Sequence, residues 1–364
     1  MTFDILSPSA QVARHLGKLI IKGQWERHLP GTPALSQEIG VDRKTVTAAI
    51  EMLEEQGLLE SQGAGRPRKI VITEKQRVRG MRITILVYEE KERHELYLHK
   101  LHRLLSAAGH LVTVSKRSLT DLGMQLPRVV KYVNSNPSEI WIPIAASKEI
   151  LEWFAAQSFH TMALFGRRRG VPIAGIGPDK IEAIRQMTEK LIQLGHQRIV
   201  LFSREERKKP TLGLQERTFL ATLEAHGIKH GSYNLPDWKN DAGGFKECLE
   251  RLLEVTPPTA LIIDESQFLV AALLHLARRG ISVPGQISVF CTDDDFVFQM
   301  CDPHVSCIRW PTDPVVKRIV KWVQQVSRGK VIRKQYHTPA KIIEGGTIGP
   351  PLGSGLASNL FGQE

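Results

Sequence analysis

From residue 81 onward, short apolar runs alternate with amphipathic segments, and this alternation restricts the possible folds more than any other feature. The run at 82–88 is largely apolar, as expected for a parallel strand that is covered on both faces. Strands are predicted at 82–88, 111–115, 139–144, 160–165, 198–202, 259–263 and 287–291. Helices are predicted at 96–108, 126–134, 148–157, 179–194, 215–226, 267–279 and 313–327. Strands that alternate with helices build wound α/β folds.

The alternation restarts near residue 179, which predicts a bilobed α/β domain over residues 81–350 with two doubly wound parallel sheets. Lobe 1 is expected at about 81–178 plus 309–328, and lobe 2 at about 179–308 plus 329–350. Open α/β sheets bind ligands beyond the carboxyl ends of their strands. We therefore expect the ligand-binding cleft to lie between the two lobes.

Residues 1–72 have a different pattern, which predicts a small separate domain. An amphipathic helix is expected at 9–21, and a short helix at 33–39 is followed by Gly40, a residue suited to a tight turn. Asp42 is placed to cap the next helix, predicted at 43–56. The apolar residues of that helix, Val46, Ile50 and Leu53, recur with helical spacing and are expected to face the core.

Two predicted strands, 58–60 and 69–72, follow that helix and enclose the basic tip Gly65-Arg66-Pro67-Arg68. Two helices joined by a turn and followed by such a hairpin predict a small α/β winged helix-turn-helix domain. Residues 73–80 are polar and basic and are interpreted as a linker. Residues 351–364 are rich in small residues and are interpreted as a flexible tail.

The outer face at the start of the helix at 43–56 would reach base edges in the major groove of DNA. Seven cations and one carboxylate lie between Ser61 and Arg82, for a local net charge of +6, which favours phosphate contact. The alternatives left open are an ordinary helical hairpin with a charged face and a solvated basic linker. The candidate DNA-binding residues are Arg43, Lys44, Thr45, Thr47, Arg66, Arg68 and Lys69.

Composition and motifs exclude several other classes of protein. The N-terminus has no apolar run of signal-peptide type, and no run is long enough to span a membrane, so a cytoplasmic protein is expected. The four cysteines form no CxxC pair and are expected to be reduced thiols. No catalytic, metal-binding or cofactor-binding motif is present, so no catalytic residue, metal or cofactor is predicted.

Several short motifs of the first domain are similar to the winged-helix domain of the GntR family of bacterial regulators. They are Leu29-Pro30-Gly31, Ala34-Leu35-Ser36, Ile39-Gly40-Val41, Arg43-Lys44-Thr45-Val46 and Gly57-Leu58-Leu59. The resemblance covers about residues 12–72. The family often has arginine at the positions of Pro33 and Thr47, and both positions commonly contact DNA in relatives. The resemblance therefore implies a different operator or a heavier dependence on the wing.

The second half resembles the effector domain of the LacI family, which is itself similar to periplasmic sugar-binding proteins. The resemblance is strong over about residues 179–349 and rests on the motifs at 194–199, 258–261 and 280–289. Gln215 stands where relatives commonly carry an arginine, and Ser266 where they carry an aspartate, whereas the third usual sugar-binding group survives as Asp293. Two interpretations stay open: an effector of different chemistry, or a domain that binds none. Residues at predicted strand ends complete the set of candidates, which is Tyr88, Glu89, Arg167, Gln215, Ser266 and Asp293.

These observations lead to the hypothesis of a sequence-specific transcription regulator, and more narrowly of a repressor. It is expected to bind a double-stranded DNA operator as a homodimer and to be controlled by a small-molecule effector, a sugar or related metabolite, in the interlobe cleft. The alternative is a solute-binding protein or a sugar-processing α/β enzyme with an accessory DNA-binding domain.

Overall fold

The computed structural model describes residues 7–22, 24–63, 65–71, 80–239 and 241–352 of the 364-residue chain. The predicted linker at 73–80 lies outside the described residues except for Gly80. The predicted tail at 351–364 does so except for its first two residues, and Gly23, expected to end the first helix, also lies outside.

The N-terminal region contains three helices packed around one apolar core. They are α1 (Pro8–Lys22), α2 (Thr32–Ile39) and α3 (Arg43–Glu55). The predicted inward-facing residues of α3, Val46, Ile50 and Leu53, are buried in this core together with Leu16 of α1. Gly40 ends α2 in the left-handed conformation, with φ of 72°, a conformation that strains residues with a Cβ atom. The sharp turn between α2 and α3 therefore depends on glycine.

Strands β1 (Leu59–Glu60) and β2 (Lys69–Ile70) form the predicted antiparallel wing, with Leu59 opposite Ile70. The wing also has a neighbour that the sequence did not indicate. His28 forms a β-bridge with Lys69, and the amide of Leu29 donates to the carbonyl of Arg68 at 2.9 Å. The loop between α1 and α2 thus fixes the wing strand on its second side.

The chain divides into two compact units, which are described separately. Unit 1 consists of Met1–Gly175 and Val316–Gln335, and unit 2 of Ile176–Val315 and Tyr336–Glu364. The lobe boundaries expected at 178/179 and 328/329 remain predictions. The division into these two units does not test them. Among the described residues, no helix has both the length and the apolar character needed to cross a membrane.

A six-stranded sheet with the order β12-β7-β6-β5-β3-β4 contains the unit 1 strands β3 to β6, and its strands β7 and β12 begin in unit 1 and end in unit 2. Its strands are β3 (Arg82–Leu86), β4 (Leu111–Val114), β5 (Ile140–Pro143), β6 (His160–Leu164), β7 (Ala174–Asp179) and β12 (Gln335–Pro339). Its first helices are α4 (Leu96–Ala107), α5 (Leu126–Ser135) and α6 (Lys148–Ala155). β3 pairs in parallel with β4 and β5, and β5 with β6. The pairing confirms the parallel sheet expected from apolar strand sequences.

Unit 2 is built on a five-stranded sheet with the order β13-β11-β10-β9-β8. Its strands are β8 (Ile199–Phe202), β9 (Ala260–Ile263), β10 (Ser288–Cys291), β11 (Ser306–Arg309) and β13 (Lys341–Ile343). Its helices are α7 (Ile181–Gln193), α8 (Glu205–Lys208), α9 (Leu214–Ala225), α10 (Ala242–Val255) and α11 (Ser266–Arg278). Strands β8 to β11 are parallel, and β13 joins β11 as an antiparallel edge strand. The last helix, α12 (Thr312–Val326), crosses from unit 2 into unit 1.

Candidate functional site

The start of α3 is fixed by its capping residue, as the sequence predicted. Asp42 Oδ1 accepts hydrogen bonds from the backbone amides of Lys44 and Thr45 at 2.9 and 3.0 Å, and Oδ2 accepts from the Thr45 hydroxyl at 2.6 Å. The hydroxyl of Thr45 and then its amide hold the pKa of Asp42 below its ordinary value. The first turn of α3 therefore begins at a defined position, which any contact made from that turn requires.

The four α3 candidates differ in how free their side chains are. Arg43, Lys44 and Thr47 are exposed, whereas Thr45 is half-buried. The Thr47 hydroxyl donates to the carbonyl of Arg43 at 2.9 Å, and the Thr45 hydroxyl is bound to Asp42. Among the described residues, neither Arg43 nor Lys44 has a carboxylate partner. The guanidinium and ammonium groups are thus the open donors of this turn.

The wing candidates also differ. Arg66 is exposed at the tip. Arg68 is half-buried, and its Nε donates to Glu54 Oε1 of α3 at 3.0 Å. Lys69 is exposed and lies 3.6 Å from Glu60 on the opposite strand. Arg68 therefore connects the wing to α3, and Arg66 is the open cation of the tip.

In unit 1, the candidates Tyr88, Glu89 and Arg167 lie just beyond β3 and β6 of the sheet. Tyr88 is buried, and Glu89 lies 3.0 Å from the ammonium of Lys91. Arg167 is half-buried in a turn that begins with Phe165, which has a φ of 59° although it is not glycine. Such backbone strain in a turn at a strand end is common at binding sites.

A half-buried carboxylate, that of Glu92, lies beside Tyr88. Glu92 Oε2 accepts a hydrogen bond from the Tyr88 amide at 2.8 Å. Burial raises the pKa of Glu92 from its ordinary value of 4.5 to about 7, against the opposing effect of the Tyr88 amide. Glu89 raises this pKa further and Lys91 lowers it. Glu92 therefore changes its charge near neutral pH.

In unit 2, the structure shows a cluster that the sequence analysis had missed in part. Arg207 of α8 donates from Nη1 to the amide oxygen of Gln215 at 2.8 Å, and its Nε lies 2.8 Å from Asp264 Oδ2. Asp264 directly follows β9, is 4% exposed, and accepts from the Thr292 hydroxyl at 2.7 Å. Gln215 is thus half-buried against a guanidinium that another segment supplies.

Asp293, the third candidate of unit 2, lies just beyond β10 and is also paired. Its Oδ1 accepts from the ammonium of Lys180 at 2.6 Å and from the indole of Trp310 at 3.1 Å. Lys180 is buried, and Trp310 directly follows β11. The aspartate therefore holds a lysine and an indole at the carboxyl ends of the strands.

Ser266 is the first residue of α11 and is half-buried. Its neighbour Glu265 accepts from Nη2 of Arg204 at 2.6 Å, and that guanidinium lies 5.6 Å from the centre of the Phe268 ring. The carboxylate and the cation at this position therefore come from residues beside Ser266 rather than from Ser266 itself.

The residues beyond β8 to β11 are named the edge cluster: Lys180, Arg207, Gln215, Asp264, Asp293 and Trp310. Burial raises the pKa of Asp264, although Arg207 acts in the opposite direction. Burial alone would lower the pKa of Arg207, but the carboxylates led by Asp264 leave it raised, so the guanidinium stays charged. The cluster can offer charged donors, charged acceptors and an aromatic face to a polar ligand.

The members that the sequence analysis missed were Lys180, Arg207, Asp264 and Trp310. Asp264 and Trp310 had an available signal, because each directly follows an apolar strand. Arg207 had none, since it lies in the charged run Arg204-Glu205-Glu206-Arg207-Lys208, which is typical of a solvated loop. No group of three or more His, Cys, Asp or Glu residues that could hold a metal ion occurs in the described part of the chain.

Two models of known families match separate parts of the chain. The model for bacterial regulatory proteins of the gntR family matches residues 8–66, and the model for the periplasmic binding protein-like domain matches residues 188–348. The probable HTH-type transcriptional repressor ExuR of Bacillus subtilis (strain 168) is 29% identical over 136 residues, which is 37% of this chain and 40% of that protein. The chain spans 40% to 48% of the length of the first curated relatives that it matches.

Two solved structures are similar in fold. A sugar-binding transcriptional regulator of the LacI family from Escherichia coli, complexed with phosphate, has 21% identity and a TM-score of 0.59, and the match covers 74% of this chain and 99% of that one. The lac repressor dimer bound to operator and an anti-inducer has 18% identity and a TM-score of 0.60, over 74% and 95% of the two chains. The chain thus combines a region that matches the gntR family of bacterial regulatory proteins with a region that matches the periplasmic binding protein-like domain, and it shares the fold of the two LacI-type structures.

Proposed function

We propose that the chain is a sequence-specific DNA-binding transcription regulator, and specifically a repressor, whose affinity for its operator is set by a small-molecule effector. The observation that supports this most directly is the first turn of α3. There Asp42 fixes the helix start, and Arg43 and Lys44 are exposed without carboxylate partners among the described residues. Arginine at such a position can form a bidentate contact with guanine.

The relatives support the same assignment. ExuR is named a probable transcriptional repressor, and the lac repressor is recorded as a dimer bound to operator. We assign this chain a homodimeric state, because one winged helix contacts too few base pairs for useful specificity. We also assign it to the cytoplasm. In this assignment Arg43, Lys44, Thr47 and Arg66 contact DNA directly. Thr45, Arg68 and Lys69 act mainly by shaping the helix start and the wing.

For the effector, we propose that a sugar or related polar metabolite binds at the edge cluster of unit 2. Guanidinium and carboxylate groups of Arg207, Asp264 and Asp293 can exchange hydrogen bonds with hydroxyl groups, and Trp310 offers an aromatic face. Gln215 and Ser266 line the same strand ends. Tyr88, Glu89 and Arg167 are proposed as effector contacts from unit 1. We assign the chain no catalytic role, no cofactor and no metal.

The DNA-binding proposal is tested by electrophoretic mobility shift with a duplex that the protein selects from a random pool. We expect salt-sensitive binding and a loss of about 5- to 100-fold in affinity for Arg43→Ala, the range expected for one bidentate base contact. Arg103→Ala, at an exposed position of α4, is the matched control. Binding that is independent of salt and unchanged by Arg43→Ala would refute the proposal and favour a solute-binding protein or an enzyme.

The effector proposal is tested by thermal-shift screening of sugars and sugar acids against the full chain. A ligand at 100 times its dissociation constant stabilises the folded state by about 2.7 kcal/mol, which is readily detected. We expect the shift to disappear in Arg207→Gln and to persist in Arg217→Gln, an exposed position of α9. A ligand that stabilises both variants equally would place its site elsewhere.

A further inference from the structure

A second basic surface lies on α12 and the segment that follows it. Between Thr312 and Gln335, all of which the structure describes, there are seven lysine and arginine residues and one aspartate, for a net charge of +6. This equals the net charge of the stretch from Ser61 to Arg82 that contains the wing. The exposed cations of 317–333 are named the basic ridge: Lys317, Lys321, Arg328, Lys330 and Arg333.

The ridge has a regular geometry on its helical side. Lys317, Lys321 and Gln324 are exposed and recur at intervals of four and three residues, so they lie along one face of α12. This face extends for about 10 Å at the helical rise of 1.5 Å per residue. Arg328 follows in the turn directly after the helix. The opposite face of α12 is buried in the described core through Val316, Ile319, Trp322, Val323 and Val326. The helix therefore cannot turn its cations away from solvent.

The cations beyond the helix are held in place as well. The indole of Trp322 donates to the carbonyl of Ile332 at 3.1 Å, and the amide of Lys330 donates to the carbonyl of Gln325 at 3.1 Å. The side-chain amide of Gln335 donates to the carbonyls of Arg168 and Val171 at 2.7 and 2.9 Å. The segment that carries Lys330 and Arg333 is thus anchored to unit 1 at both ends.

The ridge cations are also unpaired, whereas several other cations of the chain are paired with carboxylates. Within the described ranges, none of the five contacts a carboxylate. By contrast, Arg185 pairs with two glutamates of its own helix, and Lys190 pairs with Glu344 at 2.6 Å. Five unpaired like charges on a fixed surface repel one another, and a polyanion would relieve that repulsion.

We propose that the basic ridge is a second, sequence-independent contact surface for the phosphate backbone of duplex DNA. The inference rests on the proposed function, since it concerns the same DNA-bound state. It favours nucleic acid over an acidic protein because Val331 is the sole large apolar side chain exposed between 312 and 335, and no aromatic one is. Protein interfaces require a central apolar or aromatic anchor and are depleted in lysine, whereas phosphate contact requires only cations.

The experiment compares two duplexes in the full chain, one limited to the selected operator and one extended by unrelated flanking sequence. Dissociation constants are measured between 50 and 200 mM salt. Each phosphate contact contributes about 0.9 to the slope of log affinity against log salt. The triple variant Lys317→Gln, Lys321→Gln, Arg328→Gln should make the salt dependence on the extended duplex less steep. The expected change in slope is about 2 to 3 per protomer, because three ridge cations are removed from each.

The matched control is Lys148→Gln, Arg185→Gln, Lys190→Gln, which removes the same charge from one exposed and two half-buried cations that are paired with carboxylates. It should leave the slope unchanged. If both triple variants change the slope equally, the effect is one of net charge and the ridge inference is wrong. An unchanged slope in the ridge variant, alongside Arg43-dependent operator binding, overturns the inference and leaves the proposed function intact.

Binding that is independent of salt and unchanged by Arg43→Ala would instead remove the proposed function itself. Poly-glutamate serves as the probe for an acidic protein partner. If the ridge variant loses poly-glutamate binding while its salt slope on DNA is unchanged, the surface serves an acidic partner and the DNA inference is overturned.

Discussion

Asp264 is the residue on which the edge cluster depends most. It is 4% exposed and holds both the guanidinium of Arg207 and the hydroxyl of Thr292. Removing one partner of a buried ion pair leaves the other charge uncompensated, which typically destabilises a protein by about 3 to 5 kcal/mol. The position of Arg207, and with it the proposed ligand site, is therefore tied to the stability of unit 2.

We expect Asp264→Asn to lower the free energy of unfolding by about 1 to 3 kcal/mol, because Arg207 loses its counter-charge. The effect is smaller than for a fully buried ion pair, because the Arg207 side chain is 37% exposed. The measurement is urea denaturation followed by circular dichroism. Asp295→Asn, the same substitution at a half-buried aspartate beyond β10, is the control and should have a smaller effect. Equal effects of the two substitutions would show that the Arg207 pair is not stabilising.

Glu92 gives unit 1 a pH dependence of definite sign. Its folded-state pKa of about 7 lies above its ordinary value of 4.5, so the native state binds the proton more tightly. Its stabilising contribution is fully present below pH 4.5 and is lost as the pH rises to about 7. The loss amounts to at most about 3 kcal/mol.

Glu92→Gln should remove this dependence, because glutamine keeps an acceptor for the Tyr88 amide and cannot ionise. The difference in melting temperature between wild type and variant should favour the variant increasingly from pH 5 to pH 7. Glu90→Gln, at an exposed position, is the control. A constant difference across this range would mean that Glu92 ionises as an ordinary glutamate.

At the scale of elements, the wing and α3 behave as one piece. Arg68, which directly precedes β2, contacts Glu54 of α3. The loop at His28 and Leu29 pairs with the wing from the other side. The wing is therefore positioned by α3 and by the loop between α1 and α2, and not only by its own hairpin. In this arrangement Arg66 is open at the tip of the wing, whereas Arg68 connects the wing to α3.

We expect Arg66→Gln to make the salt dependence of DNA binding less steep by about 1.8 in the proposed homodimer, the loss of one phosphate contact in each protomer. Arg68→Gln should act mainly through the position of the wing. A double-mutant cycle of Arg68→Gln and Glu54→Gln should therefore show coupling of about 0.2 to 1 kcal/mol in operator affinity. Additive effects of the two substitutions would place Arg68 on the DNA as an independent contact.

The elements that the sequence predicted are those in which local pattern and tertiary burial agree. The helix predicted at 43–56 is α3, with its cap at Asp42, because periodicity and capping chemistry coincide there. Strand β7 received no prediction, since Ala-Gly-Ile-Gly-Pro-Asp has little strand propensity and its pairing is decided by its neighbours. Helix α10 was also missed, because it opens with two glycines, although Phe245, Cys248, Leu249 and Leu252 have helical spacing.

The candidate ligand residues were predicted less completely than the secondary structure, because their contacts join segments that are distant in sequence. Asp293 and Gln215 do lie at the strand ends, but Arg207 contacts Gln215 from a short helix eight residues earlier. Lys180 and Asp293 meet across 113 positions of sequence. Contacts between segments so far apart follow from the sheet topology, and no local pattern encodes them.

At the scale of the whole molecule, effector and operator must affect each other equally. If an effector bound at the edge cluster weakens operator binding tenfold, operator must weaken effector binding tenfold, because the coupling free energy is common to both. We expect calorimetric titrations of effector, with and without operator, to give the same factor as operator titrations with and without effector. Unequal factors would require a second effector site or a change of oligomeric state.

The chain passes between the two units at residues 175/176, 315/316 and 335/336, so neither unit is one continuous segment. During synthesis the N-terminal helices and wing, which are continuous, emerge first. Unit 1, however, lacks its last segment, Val316–Gln335, until the 140 residues of Ile176–Val315 have been made. The proposed DNA-binding region can therefore fold on the ribosome well before either unit is complete, and the nascent chain would meet nucleic acid before it can respond to the proposed effector.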